Sequence, residues 1–144
     1  MCSGGLGCYK GRKFTIEVDQ PVHPKYFKAR TVSYALHAKI DEDLGRLKKE
    51  GIICPITHSP WDTAVVPVLK PNVKIRLCGD YKLTVNGVAK HDTYPTLALD
   101  NLFSGLDGGK IFSKFDMSQT YAQLCLDDKS KQYTVINTHR DLFQ

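Results

Sequence analysis

Apolar residues recur with the period of an α-helix over residues 35–50. They form one stripe at spacings of i, i+4, i+8 and i+11: Leu36, Ile40, Leu44 and Leu47. Thr31 or Ser33 can cap the start of this helix, and Gly51 follows its last turn, where glycine commonly ends a helix. The pattern therefore predicts an amphipathic helix that packs one face on a core.

Two β-type runs follow this helix, at residues 64–70 and 74–81, with a Pro-Asn turn between them. They predict a β-hairpin, and Pro67 favours an edge position for its first strand because proline cannot donate to a ladder. Alternation puts Lys74 and Arg76 on one face. Two interpretations remain open for this pair: a phosphate-binding site, or a charged surface in solvent.

The remaining elements are shorter. The pattern predicts an extended stretch over residues 20–33, and a short helix from about Leu99 to Leu106 that Thr93 or Thr96 can cap. It also predicts strands at residues 14–19 and 133–138, the second from its β-branched composition.

A β-type run that begins at Lys110 ends on Asp116, and Tyr121 follows after a polar turn. An acid at the end of a strand with an aromatic residue one turn later suits a metal site beside a flat or sugar-containing ligand. The simpler interpretation is a solvated aspartate that caps the next turn, and spacing alone favours it.

Composition narrows the class of protein. The 144 residues are 42% hydrophobic and 24% charged, which is typical of one globular domain or part of one. The net charge of +5 fits a polyanionic partner such as nucleic acid. No stretch has the pattern of a signal peptide or a membrane span, so we expect an intracellular protein, cytoplasmic or nuclear, with no membrane partner.

The five cysteines have no C-x-x-C spacing, so neither a disulfide framework nor a zinc site is predicted. We expect reduced, mostly buried thiols in a reducing compartment. The histidines are scattered, and we interpret them as ordinary. The acidic run Asp41-Glu42-Asp43 is most simply a solvated helix face.

Eight short runs occur together in one order and spacing: residues 44–53 (LGRLKKEGII), 59–61 (SPW), 66–68 (VPV), 75–86 (IRLCGDYKLTVN), 94–95 (YP), 102–103 (LF), 112–123 (FSKFDMSQTYAQ) and 133–139 (YTVINTH). They resemble the reverse transcriptases of long-terminal-repeat retrotransposons of the Ty3/gypsy class. The similarity extends from about residue 5 to the end of the chain. It implies a fragment of an RNA-directed DNA polymerase, a nucleotidyltransferase encoded within a polyprotein that also carries DNA integration functions.

The resemblance implies an α+β fold, namely a partial right-hand polymerase fold with fingers and an incomplete palm. Residues 1–20 would be a linker, and residues 21–144 a partial reverse transcriptase domain. Within it, residues 21–95 and 124–144 would form the fingers, and residues 96–123 the palm. The partners implied are an RNA/DNA primer–template and a deoxynucleoside triphosphate.

The resemblance also implies roles for single residues. Asp116 matches the first catalytic aspartate, which in this family holds Mg²⁺ at a two-ion site, and Met117 would contribute its backbone carbonyl to the same metal. The backbone N–H groups of Gln119 and Thr120 would bind the triphosphate. Tyr121 matches the aromatic residue that excludes a ribose 2′-hydroxyl.

Three further residues match the fingers of the family. Arg76 matches the arginine that binds the incoming triphosphate, and Lys74 is its companion. Trp61 and its neighbours would lie near the template strand.

The family also needs an aromatic-x-Asp-Asp turn C-terminal to the first catalytic aspartate, and this sequence contains none. Asp127-Asp128 follows Cys125 rather than an aromatic residue and lies too close to Asp116, so we interpret it as an acidic turn. The family usually has other residues at three positions: Leu97, Thr120 and Asp141. We therefore expect this chain alone to be inactive as a polymerase.

Two alternatives remain open beside that interpretation. One is a non-catalytic module that binds nucleic acid or protein. The other is a fragment with no stable fold, in which an incomplete palm leaves Ile111, Phe115 and Val135 exposed.

Overall fold

A computed structural model describes residues 7–19, 21–71, 74–90, 95, 97–117 and 119–144. Its longest helix, α1, spans Tyr34–Lys49, so the predicted helix is confirmed to within one residue at each end. Ser33 occupies the N-cap position, but its side chain makes no capping hydrogen bond.

The C-terminus of α1 ends in a Schellman motif. Gly51 has φ +71° and donates its N–H to the Lys48 carbonyl at 3.1 Å, while Ile52 donates to the Leu47 carbonyl at 3.0 Å. A left-handed residue is needed at this position, and glycine adopts that conformation without a Cβ clash. The predicted role of Gly51 is therefore confirmed.

Among the described residues, five strands form one sheet in the order β1-β5-β4-β2-β3. Their bounds are Pro55–Ile56 for β1, Thr63–Leu69 for β2, Ile75–Gly79 for β3, Ile136–Asn137 for β4 and Leu142–Phe143 for β5. β2 and β3 pair antiparallel, with Val65 opposite Gly79 and Leu69 opposite Ile75, so the predicted hairpin is confirmed. β4 pairs parallel with the start of β2, at Thr63 and Ala64.

β2 therefore lies inside the sheet, and the prediction of an edge strand is wrong for its first residues. Pro67 pairs with Leu77 of β3. It lies beyond the two residues of β2 that pair with β4, so its missing N–H interrupts no ladder on that side. The prediction rested on the proline alone. Whether β2 lies at the edge or inside the sheet depends on its pairing with β4, which is more than 60 residues away.

The core lies between α1 and the sheet. Its buried members come from the helix and four strands: Ile40, Leu44, Val65, Ile75, Ile136 and Phe143. The apolar stripe predicted for α1 supplies the first two, and Leu36 packs against them. The helix contacts the sheet mainly at β3.

Two predicted strands are wrong in part or in whole. Residues 14–19 make only isolated bridges, between Phe14 and Leu126 and between Val18 and Ala89. In the second predicted strand, at residues 133–138, only Ile136–Asn137 is a strand, because Lys131–Thr134 forms a 3₁₀ turn. β-branched composition favours a strand, but a strand also needs a neighbour at the right register, which local sequence does not supply.

The segment from residue 97 to residue 117 packs little of its apolar surface. The predicted short helix is present as α2, at Leu99–Ser104, and none of its residues is buried. Its N-cap position is Ala98; the caps we predicted, Thr93 and Thr96, lie outside the described residues. Ile111 is 92% exposed and Phe115 89% exposed, as expected, but Val135 is fully buried, so that part of the prediction is wrong.

Among the described residues, no helix is both long enough and apolar enough to cross a membrane.

Candidate nucleotide-binding site

Asp116 lies in an exposed segment that has no regular structure. Residues 111–117 pair with no described strand, so the prediction that Asp116 ends a strand is wrong. Ladder hydrogen bonds come from a neighbouring strand, and none of the five strands reaches this segment. The carboxylate has no hydrogen bond or ion pair with any described residue and faces solvent.

A compact turn follows Asp116 directly. The Thr120 hydroxyl donates a hydrogen bond to the Met117 carbonyl at 3.1 Å, and Thr120–Gln123 forms a 3₁₀ turn. Gln119 precedes it with φ 49°, in the left-handed region that costs a residue with a Cβ about 1–2 kcal/mol. The carbonyl predicted as a metal ligand therefore already accepts one hydrogen bond, which leaves its second lone pair for another partner.

The geometry leaves Tyr121 accessible. Its side chain is 88% exposed, and no other ring packs on it within the part of the chain that the structure describes. Its carbonyl accepts from the Leu124 N–H at 3.1 Å, which fixes the backbone but not the ring. The ring is thus free to contact a ligand, as the prediction for this residue requires.

The other predicted cations lie on the β2–β3 hairpin. Ile75 belongs to the buried core and Leu77 packs against it, whereas Arg76, between them, is exposed. The predicted alternation of this strand is confirmed. Arg76 has no ion pair within the described residues, so its guanidinium is available to an anion.

Lys74 lies at the start of β3, beside α1. It lines a cleft of roughly 310 Å³ together with Ile75 and charged residues of both signs: Lys39, Glu42, Asp43 and Arg46. Arg46 contacts Asp43 and Glu50, each at 2.7 Å, and the Asp43 hydrogen bond raises the pKa of Arg46. The cleft is therefore mixed in charge rather than uniformly positive.

Trp61 is buried and is only 4% exposed. Its ring packs edge-on against Tyr133, with centroids 5.4 Å apart and an interplanar angle of 80°. The indole cannot stack on a base from this position. Any contribution of Trp61 near a template acts through the neighbours that it holds in place.

Asp127 and Asp128 are engaged in local structure, in agreement with their interpretation as an acidic turn. The Asp127 carboxylate accepts hydrogen bonds from the Thr15 hydroxyl at 2.6 Å and from the Ser130 N–H at 2.7 Å, and the Thr15 bond lowers the pKa of Asp127. Asp128 pairs with Lys131 at 2.6 Å, which lowers the pKa of Asp128.

The described residues do not fit a two-ion magnesium site. They contain no group of three or more His, Cys, Asp or Glu side chains that could hold a metal ion. Two-metal catalysis needs several oxygen ligands around ions about 3.5–4 Å apart, and Asp116 alone cannot supply them. We therefore assign no reaction step to a metal in this chain.

The structure also shows an ionic cluster that the sequence did not reveal. Asp41 lies 2.6 Å from the Arg140 guanidinium and 3.1 Å from the His139 ring, which stacks on His37 with centroids 4.3 Å apart. The Arg140 hydrogen bond lowers the pKa of Asp41. The prediction of a solvated acidic face is wrong for Asp41, whose partners are 98 and 99 residues away, where no local pattern reveals them. It is also wrong for Asp43, whose side chain is only 11% exposed and pairs with Arg46.

No protein-family model matches the chain. A curated relative, described as uncharacterized protein K02A2.6 of Caenorhabditis elegans, is 32% identical over 142 residues. That match covers 97% of this chain and 11% of the relative. The chain thus spans about a tenth of the length of that protein.

Solved structures of foamy viral protease-reverse transcriptase have the same fold. The complex with double-stranded DNA matches with a TM-score of 0.74 at 19% identity, over 96% of this chain and 28% of that chain. The complex with an RNA/DNA hybrid matches with a TM-score of 0.73 at 19% identity, over 96% of this chain and 18% of that one. The native prototype foamy virus enzyme matches with a TM-score of 0.72 at 21% identity, over 95% and 18% of the two chains. This chain therefore has the α+β fold of the fingers and adjoining palm of a reverse transcriptase.

Proposed function

We propose that this chain is the fingers and first part of the palm of an RNA-directed DNA polymerase of the Ty3/gypsy type. Residues 21–95 and 124–144 form the fingers, and residues 96–123 belong to the palm. Two findings support the proposal together: the shared fold, and the eight sequence runs in the order of that class. Fold alone would not distinguish this class from other proteins with the same architecture.

The observation that carries the function is the exposed arginine of the hairpin. Ile75 and Leu77 anchor β3 in the core, so the strand holds Arg76 rigidly toward solvent. A guanidinium presented in this way binds phosphate oxygens through two parallel N–H bonds. Some of the matching reverse transcriptases were solved with double-stranded DNA or an RNA/DNA hybrid, which supports a primer–template as the partner.

The turn after Asp116 supplies the second half of the proposed site. Asp116 is the first catalytic carboxylate, and the Met117 carbonyl lies beside it. The N–H groups of Gln119 and Thr120 receive the triphosphate of a deoxynucleotide, and the Tyr121 ring selects against a ribose 2′-hydroxyl. The support is the motif itself and the exposure of Asp116 and Tyr121 to solvent.

The proposal gives this chain a role in binding nucleic acid but no catalytic activity by itself. The printed sequence contains no aromatic-x-Asp-Asp run, and Asp127-Asp128 is occupied in its own turn. We therefore expect the chain to bind a primer–template and not to extend it.

The first experiment measures binding. Fluorescence anisotropy of a labelled RNA/DNA primer–template, titrated between about 50 and 200 mM salt, should show an affinity that falls as salt rises. Arg76→Gln should leave this salt dependence nearly unchanged and should instead weaken, at about 50 mM salt, the binding of a fluorescent deoxynucleoside triphosphate to the chain with its primer–template. Lys129→Gln is the matched control, because it removes one exposed cation from the turn after Asp127.

Two outcomes would contradict the proposed contact: no binding at 50 mM salt, or equal losses in the Arg76 and Lys129 variants.

The second experiment measures primer extension with Mg²⁺ and deoxynucleotides, and we expect no product. Robust extension that Asp116→Asn abolishes would show instead that this chain holds a complete catalytic site.

A further inference from the structure

Two cysteines 117 positions apart in the chain lie side by side. The Sγ atoms of Cys8 and Cys125 are 2.7 Å apart, and both residues are exposed. A disulfide bond is about 2.05 Å long, so little movement separates this pair from covalent contact. The expectation that the thiols are mostly buried is wrong, since Cys54 is also exposed and Cys78 is half-buried.

Backbone hydrogen bonds on both sides of the pair hold the two segments together. The Tyr9 N–H donates to the Gln123 carbonyl at 2.8 Å, and the Phe14 N–H donates to the Cys125 carbonyl at 2.9 Å. The Asp127 N–H returns a bond to the Phe14 carbonyl at 2.9 Å. The backbone thus holds the two cysteines next to each other.

We propose that Cys8 and Cys125 are an oxidation site, at which a disulfide oxidant of the glutathione type converts two thiols into one reversible disulfide. In the first exchange, one cysteine thiolate attacks oxidised glutathione and releases a glutathione thiolate. In the second, the other cysteine attacks the mixed disulfide and releases the second glutathione. Two protein thiols are oxidised, one molecule of oxidised glutathione is reduced to two thiols, and the two protons pass to the departing thiolates.

The other described cysteines lack this arrangement. Cys54 is exposed, but its Sγ faces the Gln144 carbonyl at 3.6 Å, and Cys78 lies within β3. Neither has another described sulfur atom beside it. With oxidised glutathione these two thiols should therefore stop at the mixed disulfide with glutathione, whereas the Cys8–Cys125 pair should close on itself.

The disulfide would act on the candidate site by restraint. Cys125 follows the Thr120–Gln123 turn by two residues, and that turn carries Tyr121. A covalent link from Cys8 would tie the N-terminal segment to the base of this turn. The hydrogen bond between the two thiols raises the pKa of the Cys8 thiol. The reactive thiolate of Cys8 is therefore scarce at neutral pH, and closure should become faster as the pH rises.

The test uses the whole chain, folded, with an excess of oxidised glutathione. After the remaining thiols are alkylated, peptide mapping should find a Cys8–Cys125 link and the loss of those two thiols from the five in the sequence. Cys54→Ser should form the same link, and Cys125→Ser should leave Cys8 as a glutathione adduct. In concentrated urea, closure should slow by at least about tenfold, because the fold no longer supplies the effective concentration.

Peptide mapping of the oxidised wild-type chain tests the proposal even where a variant fails to fold. The proposal is overturned if Cys8 and Cys125 carry separate glutathione adducts, or if Cys8 links to another cysteine such as Cys2. It is equally overturned if the link forms as fast in urea as in buffer.

Discussion

The carboxylate of Asp62 accepts a hydrogen bond from the side-chain amide of Asn137 at 3.0 Å, in the interior of the protein. Its other oxygen accepts from the Phe27 N–H at 2.7 Å, and the same Asn137 amide also donates to the Phe27 carbonyl at 3.2 Å. Asp62 is 1% exposed. These bonds join three distant parts of the chain: the extended segment before α1, the start of β2, and β4.

Removal of this carboxylate should destabilise the fold. Asp62→Ala leaves the Phe27 N–H without an acceptor and removes one acceptor from Asn137, and an unsatisfied buried donor costs about 1–3 kcal/mol. Urea unfolding should show a loss of that size in the free energy of unfolding, with an unchanged m-value. Asp62→Asn keeps one acceptor oxygen and should lose less; an equal loss in both variants would contradict a role for hydrogen bonding.

Asp62 should also make stability depend on pH in an unusual direction. Burial raises the pKa of Asp62 above the ordinary value of 3.8, against the opposing effect of its two hydrogen bonds. Between the unfolded and the folded pKa the folded state binds more protons, so this group's contribution falls as the pH rises through that range. The free energy of unfolding of the wild type minus that of Asp62→Asn should therefore decrease from pH 3.8 upward, and a rise would contradict it.

Thr63 and Thr84 form a second buried polar contact. Their hydroxyl oxygens are 2.6 Å apart, and both residues are 1% exposed. Thr84→Val alone should cost about 1–3 kcal/mol, because the buried Thr63 hydroxyl loses its partner. Thr63→Val should cost less, because the Thr84 hydroxyl also lies 3.4 Å from the Tyr81 carbonyl. The double variant should cost less than the sum, because the shapes are kept and both polar groups are gone. Additive losses in urea unfolding would contradict a direct interaction.

A buried and an exposed apolar residue should differ in how much their substitution lowers the free energy of unfolding. Val135 is fully buried, and Val135→Ala should cost about 2 kcal/mol through lost burial and the cavity left behind. Phe115 is 89% exposed, and Phe115→Ser should change the free energy of unfolding by less than about 0.5 kcal/mol while it lowers self-association measured by sedimentation. A large destabilisation by Phe115→Ser would show that residues 97–117 pack more tightly than the structure indicates.

The ion pair between Asp41 and Arg140 should be weak and sensitive to acid. Arg140 is 63% exposed, so solvent screens the pair and Arg140→Gln should lower the free energy of unfolding only slightly at neutral pH. The arginine lowers the pKa of Asp41, so the pair stabilises above the ordinary value of 3.8, and this stabilisation is lost as the pH falls through the lower folded pKa. Lys114→Gln removes an exposed cation that has no described ion pair and should show no such dependence.

Sequence alone determined the features that depend on residues close together in the chain. The period of α1 and the glycine at its end are set within 18 residues, and the paired strands β2 and β3 follow each other closely in the chain. The motif around Asp116 was likewise visible, because each of its members is at a fixed spacing from the others. Such features follow from local sterics, side-chain alternation and turn chemistry, which one segment carries by itself.

Tertiary structure decided everything that required a partner from elsewhere in the chain. It placed β4 beside β2, buried Val135, brought Cys8 to Cys125, and gave Asp62 its donors from Phe27 and Asn137. It also left Asp116 outside any strand, although the local pattern predicted one. The physical reason is that ladder bonds, ion pairs and burial are properties of pairs of segments, and a single segment's sequence does not specify which other segment will lie beside it.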